Sequence, residues 1–258
     1  SGDVFNQLKA LKKDLRLFSE IRASTPPAQL KSMRDAGMQE LQVGIEALST
    51  GLLKKLKKGT TTIQNLEIMK NCENLGLINI SNLILQFPGS EQSDVDETLK
   101  NLEFALPFRP LKAVNFWLGL GSPVWRNPAA YGVKAVFNHP NWRYLFPAVI
   151  HRNLPFMIQA YRGDAGVQKK IWQPVRAAVK NWTKIYYDLH RDPSPDPILS
   201  FRDGRDFLII RQRRFGSEPM THRLVGSSRR IYLYCQRHRP LRRIGAKFPS
   251  ISEDKIVA

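Results

Sequence analysis

Two carboxylates, a run of lysines and two cysteines are where chemistry could reside in this chain. Glu46 sits inside an otherwise apolar stretch, LQVGIEAL at residues 41–48. A carboxylate in such a place needs a partner, and a structural hydrogen bond answers that need as well as a bound ligand does. Glu20 lies in LRLFSEIRA, residues 15–23, where an ion pair with Arg22 competes with a ligand role. Lys54, Lys55, Lys57 and Lys58 crowd the end of one short segment, and the C-terminal end of a helix favours such positive charge. Cys72 and Cys235 are too far apart in sequence to indicate a disulfide framework or a metal knuckle, and read as a core thiol and a strand thiol. Cys235 and His238 have a ligand-like spacing, but a zinc site takes about four ligands and no second pair is near. The histidines form no triad with Ser and Asp. No Gly-rich loop ending in Lys-Ser/Thr is present to cradle phosphate. The five tryptophans, Trp117, Trp125, Trp142, Trp172 and Trp182, read as buried aromatics ahead of base-stacking platforms.

The elements that must position these groups follow from apolar spacing. Residues 4–11 predict a basic helix. Residues 15–23 alternate as a strand, with Leu15, Leu17, Ser19 and Ile21 on one face and Arg16, Phe18, Glu20 and Arg22 on the other. A helix over 29–36 ends at Gly37, and 41–48 is the next strand. Ser49 or Thr50 caps a helix over 51–57 that stops at Gly59. Residues 62–76 predict a helix, 79–89 a strand and turn, 94–106 a helix and 113–120 a fourth strand. Strand and helix in alternation, with near-continuous apolar strands, indicate parallel βα units. Functional groups then belong at the C-terminal strand ends. Residues 122–155 read as an extended loop region over the mouth of the sheet and 155–189 as one or two helices. The Pro-rich stretch 191–197 reads as a linker, followed by a hairpin turning at Asp203-Gly204. A β segment over 230–235 comes next, leading into a helix.

Several of these stretches together resemble a known family. EIRA at 20–23, QVGIEALS at 42–49, LLKKLKKGTT at 52–61, NLILQFPGSEQSD at 82–94, GLGSPVW at 119–125 and DPILSFRDGRDFLII at 196–210 are similar, in order and spacing, to the radical S-adenosylmethionine (radical SAM) enzymes of the type 1 ribosomal-peptide maturation group. The resemblance implies an α/β fold: a partial (β/α)6 barrel, strands three to six, over residues 1–125. A loop and helical region over 126–195 and a small, incomplete α+β appendage over 196–258 follow. It implies that S-adenosylmethionine is held by Glu20 and Glu46 through its amine and ribose and by Lys58 through its carboxylate. Asn82 supplies a polar contact, and Pro88 and Gly89 pack on adenine in a Gly-x-Pro-Gly-like turn whose first Gly is here Gln86. Ser122 and Trp125 face substrate. Carboxylates and an ammonium are chemically suited to these tasks. The family's 4Fe-4S cluster needs a Cys-x3-Cys-x2-Cys triad from the first barrel strand. That motif does not occur in this sequence, so the expectation is a C-terminal part of such an enzyme, inactive by itself in radical chemistry. Many members carry a cobalamin-binding domain upstream, which implies cobalamin-dependent C-methylation of a precursor peptide.

Composition constrains the partners. Of 258 residues, 40 are Lys or Arg and 22 Asp or Glu, a formal charge of +18 with a pI near 10.2. Arginine is concentrated beyond residue 200, which suits an anionic partner. The expected partner is the acidic precursor peptide, held by that basic appendage. A non-catalytic nucleic-acid-binding protein is the alternative, though no nucleic-acid module is recognisable. Exposed barrel edges predict self-association. No apolar run approaches the ~20 residues of a membrane span, no signal peptide is evident, and a reducing cytoplasm is the expected location.

Overall fold

A computed structural model describes residues 2–191 and 197–257 of the chain. Helix α1 (Gly2–Ala10) leads into β1 (Leu17–Arg22), whose alternation has the expected phase: Leu17, Ser19 and Ile21 are half-buried, Phe18, Glu20 and Arg22 exposed. Helix α2 (Pro27–Asp35) starts on a proline at its first position, where the missing N–H costs nothing, and returns the chain to β2 (Met38–Gly44). Strands β1 and β2 are parallel, with Glu20 beside Gln42 and Arg22 beside Gly44. Helix α3 (Thr50–Lys55) is capped by Ser49, whose hydroxyl accepts from the Leu52 N–H at 3.0 Å. Helix α4 (Thr62–Leu75) opens on a capping box, Thr61 with Gln64, and closes on Gly76 in the left-handed region.

The third strand position is divided. Strand β3 (Ile78–Asn79) pairs with β2, and β4 (Asn82–Leu85) pairs with β5 (Lys112–Asn115), which follows helix α5 (Gln92–Ala105). The break falls at Ser81, which accepts from the Val43 N–H at 2.7 Å and donates to the Asn79 side chain. A side chain here takes the place of a backbone rung. A single parallel bridge, Glu46 to Leu83, stitches the two parts of the sheet together. Leu41 lies opposite Asn79 and Glu46 opposite Leu83, so the β2 side holds one more residue than its partner. That is a bulge in a parallel ladder.

The four parallel positions therefore follow one another in chain order, as the βα reading requires. Leu41, Val43, Ile45, Leu83 and Leu85 face the helices and are buried with Leu30, Met33, Leu52, Leu53, Met69 and Val95. The opposite face carries Phe18, Glu20, Gln42, Asn82 and Ile84, and is exposed or half-buried.

Beyond residue 115 the expectations need correction. The strand predicted over 113–120 leaves the parallel sheet after the Phe116 N–H reaches the Leu85 carbonyl at 2.8 Å. Its end, β6 (Leu118–Gly119), pairs antiparallel with β8 (Ile158–Arg162). Residues 122–155 are no extended loop: they hold α6 (Pro123–Arg126), two 3-10 turns, β7 (Ala135–Asn138) and α7 (Ala148–Asn153). The region read as purely helical begins with β8, between β6 and β7 in a three-stranded sheet, before α8 (Ala165–Ile171) and α9 (Gln173–Leu189). Trp172 and Trp182 are buried as expected, whereas Trp117 is 71% and Trp125 37% exposed.

Most of the linker read over 191–197 lies outside the described residues. The hairpin at Asp203-Gly204 is present, between β9 (Leu199–Asp203) and β10 (Phe207–Arg214), and continues into β11 (Ser217–Val225). The strand expected over 230–235 is instead helical, in α10 (Gly226–Tyr234), with Cys235 at its C-cap. It lies against β10 and β11 with the Tyr232 ring edge-on to Phe201 of β9, tertiary contacts that override the β-propensity of IYLYC. Helices α11 (Leu241–Lys247) and α12 (Glu253–Val257) complete the chain.

Candidate functional site

At the C-terminal ends of β1 and β2 lies a cleft of about 630 Å³, lined by Glu20, Arg22, Gln42, Gly44, Glu46, Lys58 and Thr60 among others. Glu46 owes its position to an unusual backbone. Its φ is +61°, and the Ala47 N–H bonds the Ile45 carbonyl two residues back at 2.7 Å. This is a γ-turn of the positive-φ type, a rare and strained conformation. For a residue with a Cβ it costs roughly 1–3 kcal/mol.

Three contacts hold the turn. Asn65, fully buried on α4, donates to the Ile45 carbonyl at 3.0 Å and to the Ala47 carbonyl at 2.8 Å. From the other side the Ile84 N–H donates to the Glu46 carbonyl at 2.8 Å. Sequence reasoning missed Asn65; the available signal was an amide among apolar positions of an amphipathic helix.

Lys58 is set by the end of α3. Lys57 adopts φ +55°, the Lys58 N–H reaches back to the Leu53 carbonyl at 3.0 Å, and the Lys57 N–H reaches the Lys54 carbonyl at 3.0 Å. These are the two bonds of a Schellman motif, here with lysine at the left-handed position usually given to glycine. The Lys58 ammonium then donates to Glu46 Oε1 at 2.9 Å, with both side chains partly exposed. Gly44 lies against this pair: a Cβ there would stand in ordinary contact, 3.7 Å from the Lys58 Nζ. Lys55 is not merely solvated either, for its ammonium lies 2.6 Å from Asp94 Oδ2.

Glu20 shares the sheet face of Gln42 and lines the same cleft. No hydrogen bond or ion pair to its carboxylate is found among the described residues, so Arg22 does not neutralise it. Thr60 Oγ1 is buried without a hydrogen-bond partner. The cleft thus presents two carboxylates, the ammonium groups of Lys57 and Lys58, the Arg22 guanidinium, an amide and an unanswered hydroxyl. That donor and acceptor set fits a zwitterionic amino acid joined to a diol, as in S-adenosylmethionine.

The other expected site residues lie elsewhere. Asn82, at the start of β4 opposite Lys112, is on the open face of the sheet but outside this cleft. Gln86 takes φ +63°, the conformation the absent glycine would adopt more easily. Pro88 is buried, and Gly89 donates its N–H to Asp164 Oδ2 at 3.1 Å. A Cβ on Gly89 would touch the Tyr131 backbone at 3.4 Å, an ordinary contact. Ser122 caps α6, accepting from the Trp125 N–H at 3.2 Å, and neither Ser122 nor Trp125 lines the cleft that holds Glu46. A second cleft of about 600 Å³, formed by Gln86, Phe116, Trp117, Trp142, Gln159 and Tyr161 with their neighbours, opens instead at the ends of β4 and β5.

The residues present do not fit an iron–sulfur cluster. Cys72 is buried in the core, and burial, followed by the nearby Glu73 charge, pushes its thiol pKa up to about 12. It is protonated at neutral pH, whereas cluster iron binds thiolate. Cys235 sits at the end of α10, and its pKa is raised by burial. Among the described residues no three His, Cys, Asp or Glu side chains converge on a metal position. No helix among them is long and apolar enough to cross a membrane.

Known proteins share parts of this chain. The uncharacterized methyltransferase PH0819 of Pyrococcus horikoshii is 30% identical over 70 residues, 27% of this chain and 15% of that protein. The radical SAM methyltransferase TsrM of Kitasatospora setae, solved with tryptophan substrate and a SAM analogue, superposes over 70% of this chain and 39% of its own. The TM-score is 0.49 and the identity 14%. The cobalamin-dependent radical SAM enzyme OxsB with aqua-cobalamin bound gives a TM-score of 0.48 at 13% identity, over 76% of this chain and 38% of that one. This chain therefore spans well under half the length of each of these proteins. Residues 3–102 match the radical SAM superfamily, and that segment contains Glu20, Glu46, Lys58, Asn82, Pro88 and Gly89.

Proposed function

We propose that this chain is part of a radical SAM enzyme and that the 630 Å³ cleft at the ends of β1 and β2 holds S-adenosylmethionine. The carrying observation is the convergence of Glu20, Glu46 and Lys58 on one cleft within the segment that matches the superfamily. Bound there, S-adenosylmethionine supplies a methyl group or a carbon radical. The chain's own residues bind and orient. The Lys58 ammonium carries three donors, so it can keep Glu46 while donating to a ligand carboxylate. The unpaired Glu20 carboxylate accepts from an ammonium or a diol, and Gln42 offers both a donor and an acceptor beside it. The strained turn fixes Glu46 before ligand arrives, so little ordering remains to be done on binding.

In this reading the cluster thiolates come from elsewhere in the protein. The reaction we propose, on the resemblance of the sequence motifs, is cobalamin-assisted C-methylation of a ribosomally made precursor peptide. The barrel to which the four parallel strands would contribute belongs to the same reading.

Calorimetric titration of the chain with S-adenosylmethionine tests the site. We expect binding that Glu46→Ala weakens by about tenfold or more, the loss of one charge-assisted contact. Binding of equal strength in wild type and Glu46→Ala would remove Glu46 from the site.

A further inference from the structure

A different cleft, of about 520 Å³, lies between the turn after β1, one side of α4 and the segment joining α10 to α11. Arg237, Arg239, Arg242 and Arg243 line it. Four guanidinium groups within one short segment repel one another unless an anion lies between them. Among the described residues none of the four has an acidic partner: the arginine ion pairs found are those of Arg34, Arg191 and Arg229. The acid in the cleft is already engaged, for Glu67 takes the His238 backbone N–H at 3.2 Å and its ring Nδ1. Arg239 lies over the Tyr234 ring at 5.1 Å, and its Nε is buried without a partner. The cleft therefore holds concentrated, unneutralised positive charge, part of it already desolvated.

The lining narrows the choice of anion. Phosphate sites commonly draw on backbone N–H groups at a helix N-terminus, but the helix facing this cleft begins Pro26-Pro27, two residues that have no N–H to offer. Single-stranded nucleic acid uses aromatic platforms, and no Phe, Tyr or Trp lines the cleft; its one imidazole, His238, is held by Glu67. The guanidinium fork binds carboxylate and phosphate alike, bidentately, and with those backbone donors missing, carboxylates on an extended chain suit four spaced forks best.

We propose that this cleft binds an extended polypeptide segment carrying several Asp or Glu side chains. Ala23 and Ser24 line both this cleft and the one containing Glu46, so a segment seated on the arginines continues directly toward that site. The identity of the polypeptide as the substrate rests on the function proposed above. The anion binding does not, and it is measured without S-adenosylmethionine.

The test is fluorescence anisotropy of the chain with a fluorescein-labelled peptide of alternating Glu and Gly, at low ionic strength. A Gln-Gly peptide and a short oligothymidylate run in parallel. Binding should weaken with added salt, and R242Q/R243Q should lower it by about tenfold with no change in melting temperature, since both side chains are exposed. R242K/R243K should recover it only in part, because an ammonium has no fork. R211Q/R214Q removes the same charge from β10 and should leave binding intact. Equal losses in R242Q/R243Q and R211Q/R214Q, equal binding of the Gln-Gly peptide, or no binding would each overturn the proposal. Tighter oligothymidylate binding through the same arginines would assign the cleft to nucleic acid instead. Failure of the S-adenosylmethionine titration leaves all of these outcomes unaffected.

Discussion

Glu97 shows how far a single residue's role can lie from what its neighbourhood in sequence suggests. Its carboxylate caps α3 from another helix, accepting the Thr50 N–H at 2.9 Å, the Ser49 hydroxyl at 2.8 Å and, more weakly, the Gly51 N–H at 3.4 Å. Burial acts to raise its pKa, but these hydrogen bonds outweigh it and hold the pKa below the ordinary glutamate value. A depressed folded-state pKa means that the stabilisation is present above the unfolded-state value and is lost as pH falls through the lowered one. Glu97→Gln should therefore cost about 1–2 kcal/mol at neutral pH, with the difference from wild type shrinking in acid. Urea melts at neutral and acidic pH would show it, and a cost independent of pH would assign the effect to packing. Glu46 was legible in the sequence because a carboxylate in an apolar strand stands out. Glu97 was not, because its partners lie far away in the chain and only the fold brings them near. Ser122 and Trp125 were placed by resemblance alone, and local capping geometry claimed Ser122.

Among the elements, α4 does the least visible work. Its Asn65 amide satisfies two carbonyls that the γ-turn strips from the sheet. Asn65→Ala should lower stability by about 1–2 kcal/mol, since the Ala47 carbonyl loses its donor and the Ile45 carbonyl keeps only the N–H of Ala47 within the turn. It should also weaken S-adenosylmethionine affinity through the relaxed Glu46 turn. Thermal melts and calorimetry on the same variant check both effects, and unchanged melting would mean that water replaces the amide. The βα alternation up to β5 was readable because helix and strand periods differ and capping residues mark the boundaries. Past residue 115 that legibility fails. Strands β6, β7 and β8 are short and antiparallel, supplied by Pro- and aromatic-rich sequence with little alternation. Helix α10 has residues of high β-propensity whose face is chosen by the sheet beneath it.

For the molecule as a whole, the C-terminal unit meets the parallel sheet unit through few polar contacts. His238 engages Glu67, and Lys70 engages the Gln236 carbonyl. Glu67→Gln should loosen that junction. Trypsin should then cut between residues 237 and 243 about fivefold faster, the effect of ~1 kcal/mol on local opening, while the sheet unit resists. An unchanged cutting rate would show that the Glu67–His238 contact does not hold the junction. The excess of positive charge predicted an anionic partner from composition. Only the three-dimensional arrangement separates arginines that find an acid, such as Arg229 with Asp203, from those that find none.

The extra residue between Leu41 and Glu46 makes the length of this strand a constraint in its own right. Deleting any one residue of that stretch would restore an even ladder and rotate every later side chain to the opposite face. The carboxylate would then turn toward the core and Ile45 toward the solvent. Substitutions in this stretch can be graded, but insertions and deletions should be all-or-none, so variation among homologues should respect its length more strictly than its composition.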